Sequence, residues 1–175
     1  MATREVAAAL ARAEDVFRRR PTAAHSADAP ATAAWSGGVR MLTRHARGLE
    51  VATDLPVEFG GAGDGVSPGW LMRAGLAACT ATSIVMTAAR EGLELSVLDV
   101  RADSLSDNRG VLAMCGEDGA PVDAAPLELS ISVTIGAERA EAERLRDLVD
   151  RARLCSPLLV LVERAAPLSI KVDVV

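Results

Sequence analysis

A chain of 175 residues, half of them apolar, is long enough to bury one sizeable core with a short extension beside it. Its net charge of −5 argues against a general affinity for nucleic acid or for an anionic membrane surface. Aromatics make up only 2% of the residues, so the core has to be assembled from Ala, Val and Leu.

The first twenty residues place Val6, Leu10, Ala13 and Phe17 at i, i+4, i+7 and i+11, which predicts an amphipathic helix ended by Pro21. This segment is charged throughout and has no apolar h-region, so it does not read as a signal peptide. A cytoplasmic protein with reduced thiols is expected. Residues 22–31, TAAHSADAPA, form a small-residue linker. Residues 1–31 are thus expected as an N-terminal extension, and 32–175 as the main domain. The helix has to dock its apolar stripe on its own domain, the simpler reading, or on a partner subunit.

From Ala33, turn signals divide short extended runs. Trp35 is followed by Ser36-Gly37-Gly38, and Arg47-Gly48 separates Val39–Ala46 from Leu49–Leu55. This predicts a three-stranded antiparallel meander, closed by Pro56. The glycine-rich run Gly60–Gly65 then leads to Ser67-Pro68, a serine N-cap with proline at the first helical position. The helix they open runs to Gly92 and carries apolar residues on nearly every face, as a core helix does. About 23 residues would admit a membrane span, but Arg73 breaks the run early. Its Ala, Gly and Thr content is also weak for insertion, so the buried spine of a soluble domain is expected.

After Gly92, Leu95–Leu105 predicts a strand, Asp107-Asn108-Arg109-Gly110 a turn, and Val111–Cys115 a returning strand. A polar loop, Gly116–Ala125, precedes the strict alternation of Leu127, Leu129, Ile131, Val133 and Ile135, a half-buried strand. Residues 137–154 predict a second long helix with Ala142, Leu145, Leu148, Val149 and Ala152 on one face. A short helix from Leu158 to Arg164 and a final strand, Leu168–Val174, complete the order. Strands and helices in this sequence make an α+β fold with an antiparallel sheet, not an alternating βαβ fold. No GxGxxG run follows a strand, and Gly60–Gly65 lacks the Lys-Ser/Thr ending of a phosphate loop, so no nucleotide site is expected.

Chemistry is therefore sought in the thiols. Cys79, Cys115 and Cys155 are odd in number and lack CxxC spacing, and His25 and His45 lie far from them, so neither a metal site nor a bound cofactor is expected. Cys79 sits mid-spine, where burial favours an inert small hydrophobe. Cys155 precedes Ser156-Pro157 at a helix start, where unpaired N–H groups and the helix dipole favour a thiolate. Both cysteines have small neighbours that permit close approach, and they belong to different helices that one core must bring together. On these grounds Cys79 is open to both readings, packing and chemistry. Cys115 is read as structural, His45 as an exposed strand residue, and His25 as part of the linker.

The run Gly60-Gly61 through Ser67-Pro68, Leu71, Ala74, Gly75, Leu76, Ala77, Ala78, Cys79 and Thr80 resembles the first-cysteine signature of the OsmC/Ohr family. Arg153-Leu154-Cys155-Ser156 resembles the second, and Trp35-Ser36-Gly37-Gly38 with Asp54-Leu55-Pro56 is similar to the preceding meander. The resemblance spans residues 33–175. It implies an OsmC-like fold, antiparallel sheets wrapped around a long central helix, in an intertwined homodimer with sites at the subunit interface. It also implies a thiol peroxidase acting on organic hydroperoxides, with Cys79 oxidised to a sulfenic acid and Cys155 resolving it as a disulfide that a dithiol or protein thiol reopens. The family's thiolate-holding arginine corresponds to Arg40, after Gly37-Gly38, with Arg44 as a rival.

One position departs from the family. Its peroxidases carry a glutamate just after the Ser/Asn-Pro, where this chain has Gly69 followed by Trp70. Glu58 or Asp64 could brace the arginine instead, and Trp70 could narrow an entrance. The departure keeps a second reading in play: a non-catalytic OsmC-like protein that binds a small apolar ligand or senses redox state.

Overall fold

The computed structural model describes residues 3–164. Ala11–Ala74 forms one compact unit, and the described residues on either side of it form another. The expected final strand, Leu168–Val174, lies outside the described residues.

In the unit of Ala11–Ala74 the predicted meander is present. β1 (Ala31–Trp35), β2 (Met41–His45) and β3 (Glu50–Thr53) pair antiparallel in chain order, with Trp35 opposite Met41 and Met41 opposite Thr53. The first turn needs glycine twice: Gly37 and Gly38 have φ of +102° and +56°, which side chains rarely adopt. The Trp35 indole N–H donates to the Gly38 carbonyl at 2.9 Å across that turn. β1 starts two residues earlier than Ala33, inside the expected linker, whose Pro21–Ala24 stretch makes a single helical turn. The stripe of α1 (Thr3–Arg19) is also present, with Val6, Leu10 and Ala13 half-buried and Phe17 exposed.

The other unit is assembled around the second half of α2 (Pro68–Arg90). α2 starts and stops where its end signals predict. The Ser67 hydroxyl accepts the Trp70 N–H at 3.1 Å, and Gly92, at φ +64°, ends the helix. There the Leu93 and Gly92 amides donate to the carbonyls of Ala88 and Ala89, the bond pair of a glycine C-cap. By length and composition alone α2 is sufficient to cross a membrane. Its buried face, however, carries Leu76, Thr80, Ser83, Ile84, Thr87 and Ala88, so hydroxyls and aliphatic groups share the interior. Two of those hydroxyls satisfy themselves on the helix, Thr80 on the Leu76 carbonyl and Thr87 on that of Ser83, both at 2.8 Å.

β4 (Val97–Ser106) and β5 (Pro126–Gly136) form an antiparallel hairpin. The period-two pattern brings Leu98 opposite Ile135 and Val100 opposite Val133 on one face. That face packs on Ile84, Ala88 and Leu93 together with Leu145, Leu148 and Ala152 of α4 (Ala142–Arg153). α4 begins at Ala142, later than the expected 137.

Between β4 and β5 the predicted strand Val111–Cys115 does not form. The Asp107 carboxylate caps the Arg109 N–H at 3.0 Å and starts a one-turn helix, α3 (Asn108–Val111). Ala113 then adopts φ +54°, which breaks any extended run, and Cys115 makes only an isolated bridge with Pro121. A local carboxylate cap has won over extended propensity, and the partner of β4 comes later in the chain, at β5. The last described element is α5 (Pro157–Arg164), as predicted. Antiparallel sheets with a long central helix make this a mixed α+β fold of the expected type.

Candidate functional site

Cys79 lies in the middle of α2, half-buried, one turn from the buried Leu76 and Ser83. The chain that faces it is the connection between α4 and α5. Ser156 is fully buried there, and its hydroxyl donates to Cys79 Sγ at 3.3 Å. One turn along α2, the Ser83 hydroxyl donates to the backbone carbonyl of Cys155 at 3.1 Å. Successive turns of the spine thus grip successive residues of the Cys155-Ser156 segment.

That segment is held from its own side as well. The Cys155 amide donates to Ala152 O at 3.0 Å, and Ser156 O accepts the Val160 amide at 3.0 Å. Arg153 Nε meets Glu163 Oε1 at 2.6 Å, tying the end of α4 to the end of α5. The close approach of α5 to α2 uses Gly75, where an added Cβ would stand 3.4 Å from Leu158 Cδ1. Cys79, Cys115 and Cys155 are all free thiols, the last two exposed. Two segments 77 residues apart in sequence, each read as a cysteine signature, are therefore brought together by the fold.

Arg40 belongs to the other unit. The turn at Gly37-Gly38 aims it toward the loop after β3, where Nη2 donates to Asp54 Oδ2 at 3.1 Å and also contacts Asp64 Oδ1. Asp54 is buried and accepts the Ala62 amide at 2.8 Å. That amide bond, with further help from the Leu55 amide and the Arg40 guanidinium, holds the Asp54 carboxyl below the usual range despite its burial. In return Asp54, and then Asp64, raise the Arg40 guanidinium above its ordinary value. The loop can close over Asp54 only because position 61 is glycine: a Cβ there would lie 1.8 Å from the Leu55 carbonyl oxygen.

Of Glu58 and Asp64, the alternatives for bracing Arg40, Asp64 contacts its guanidinium. Glu58 instead lines a cavity of about 520 Å³ together with Asp54, Ser67, Trp70 and Arg73. Arg44 pairs with Glu50 across β2 and β3 at 2.6 Å, a strand-surface contact. At Gly69 an added Cβ would meet Arg73 Nη1 at 3.7 Å and Ser67 Oγ at 3.9 Å, so space does not demand glycine there. Among the described residues no group of His, Cys, Asp and Glu is arranged to hold a metal. His45 Nδ1 accepts the Arg47 amide at 3.1 Å, a turn contact.

Two participants were not singled out from sequence, Asp54 and Ser156. Asp54 precedes Leu55-Pro56 in a motif already noticed, and its position at the closing end of the meander was the available signal. Ser156 belongs to the second cysteine motif, but a serine before proline reads equally well as an ordinary helix start, so its contact with Cys79 had no local signal.

The family model for OsmC-like proteins matches residues 61–171, more than half of the chain. The fold is shared with solved structures at low identity. An OsmC-like protein from Mycoplasma pneumoniae superposes with a TM-score of 0.64 at 16% identity, covering 80% of this chain and 90% of that one. An organic hydroperoxide resistance protein from Elizabethkingia anophelis gives 0.58 at 20% identity, over 80% and 91%. The organic hydroperoxide resistance protein OhrB of Bacillus subtilis gives 0.52 at 19%, over 79% and 92%. No curated protein sequence matches significantly. This α+β chain with a spine helix belongs to the OsmC-like protein family.

Proposed function

We propose that the protein is a cysteine-based peroxidase for organic hydroperoxides. The observation that carries this reading is the contact of α2 with the Cys155-Ser156 segment, at 3.3 Å on Cys79 Sγ and 3.1 Å on the Cys155 carbonyl. It sets a half-buried thiol beside the chain that carries an exposed one. The names of the similar structures, organic hydroperoxide resistance proteins among them, support the substrate class.

In the proposed cycle the Cys79 thiolate attacks the distal peroxide oxygen. The O–O bond breaks, the alkoxide takes a proton and leaves as an alcohol, and Cys79 becomes a sulfenic acid. The Cys155 thiol then attacks that sulfur and releases water, leaving a Cys79–Cys155 disulfide. A dithiol or protein thiol reopens it by two exchanges. Arg40 is the proposed cation for the thiolate, with Asp54 and Asp64 doing the bracing that the glutamate missing at Gly69 would do. The proposed assembly is a homodimer, supported by the exposed stripe Ala78, Thr82 and Val85 in the middle of the long helix α2.

Purified protein is expected to consume tert-butyl or cumene hydroperoxide with dithiothreitol as reductant, and Cys79→Ser to abolish consumption. Equal, slow consumption by both proteins sinks the peroxidase reading. The cavity beside Trp70, together with Gly69, favours a second reading, a binding or redox-sensing protein on the same scaffold. Mild peroxide followed by mass spectrometry separates the two: a Cys79–Cys155 disulfide at low oxidant marks cycling, and two unmodified thiols mark binding.

A further inference from the structure

Ser156 differs from the other residues around the spine in what its hydroxyl does. It is fully buried, and among the described residues its acceptor is Cys79 Sγ, at 3.3 Å. The backbone that carries it is fixed on both sides, by its own N–H on Arg153 O at 3.2 Å and by the Val160 amide on its carbonyl at 3.0 Å. The Ser83 hydroxyl on Cys155 O, at 3.1 Å, anchors the residue before it. The hydroxyl therefore has no access to the surface, and its main chain is held on both sides.

A neutral thiol is a weak acceptor, whereas an ionised acceptor makes a hydrogen bond about twice as strong. A buried hydroxyl committed to sulfur is thus best satisfied when that sulfur carries a charge. We infer that Ser156 is the residue that holds the Cys79 thiolate from within its own unit, by a donated O–H bond to the reacting sulfur. The inference rests on the reading of Cys79 as the reactive thiol. It gives the connection between α4 and α5 two tasks: Cys155 resolves, and Ser156 holds the sulfur ready. It also supplies a thiolate donor that does not depend on the family glutamate absent at Gly69.

The test follows the reaction of each cysteine with iodoacetamide in the full chain at neutral pH. Trypsin places Cys79, Cys115 and Cys155 on separate peptides for mass spectrometry. In the intact protein Cys79 is expected to react faster than N-acetylcysteine. Ser156→Ala is expected to slow Cys79 roughly tenfold, the size of one hydrogen bond to a charged group. Ser156→Thr, which keeps the hydroxyl, is expected to restore most of the rate, with Cys115 unchanged in every variant. A Cys79 in Ser156→Ala as reactive as in the intact protein overturns the inference. If the alanine variant does not fold by circular dichroism, the intact protein decides, and a Cys79 no faster than N-acetylcysteine overturns it. Peroxide consumption is measured separately. A tenfold alkylation effect without peroxide turnover removes the peroxidase reading and keeps the donor role of Ser156, whereas turnover that survives Ser156→Ala with unchanged alkylation does the reverse.

Discussion

Asp54 gathers the Arg40 guanidinium and the amide of Ala62 onto one buried carboxylate, and so fixes the glycine loop to the end of the meander. Its carboxyl is held below the ordinary value when folded, first by the Ala62 amide. Such a group contributes stability above its unfolded pKa, about 3.9, and loses that contribution as pH falls through the lower folded value. Asp54→Asn is therefore expected to lower the melting temperature in neutral buffer. The gap from the unmodified protein should narrow below about pH 4, as the native carboxylate becomes protonated too. Thermal scans across this range check it, and a gap that widens toward acid contradicts the assignment. Cys79 and Ser156 make the second pair of this scale, where a sulfur and a hydroxyl give each other a partner inside the fold.

The elements that matter most are α2 and α4, whose contact carries the core of the larger unit. Ile84 and Leu148 are both 0% exposed and belong to the same cluster as Ala88, Leu145 and Ala152. Leu148→Ala removes three heavy atoms from a site with no access to solvent. It is expected to cost about 2–5 kcal/mol of unfolding free energy, the range for buried leucine truncation. Urea unfolding measures this, with a shifted midpoint and an unchanged slope as the expected signature. The charged face of α4 contributes far less. Arg151 with Glu91 at 2.7 Å is an exposed pair, the kind that adds between zero and about 1 kcal/mol.

At the scale of the whole molecule the telling feature is a spine helix on which the described residues leave one face exposed. Val85 is 41% exposed, in line with Ala78 and Thr82 on the same face of α2. An apolar helix left partly open in one copy fits the proposed homodimer, in which a second copy completes the cover. Sedimentation equilibrium is expected to give twice the chain mass of 18.2 kDa. Val85→Arg, which sets a charge on the exposed face, is expected to shift the mass toward one chain. A single-chain mass for the unmodified protein removes the dimer proposal.

Helix ends, hairpin turns and core faces were legible in the sequence because each is written within a few residues. Ser67-Pro68 and Gly92 bound α2 through hydrogen bonds to their own neighbours. The alternation up to Val133 and Ile135 needs only the two-residue period of a strand. The segments that carry Cys79 and Cys155 stood out through motifs that resemble the family's two cysteine signatures. Where the sequence misled, at Val111–Cys115, a carboxylate cap two residues away from its target amide outweighed extended propensity. Tertiary structure alone decided that Ser156 donates to Cys79, and that Asp54 and Asp64 share Arg40. The reason is physical: these contacts join residues 14 to 77 positions apart, and no local periodicity or capping rule reports on a bond that exists only after the core has closed.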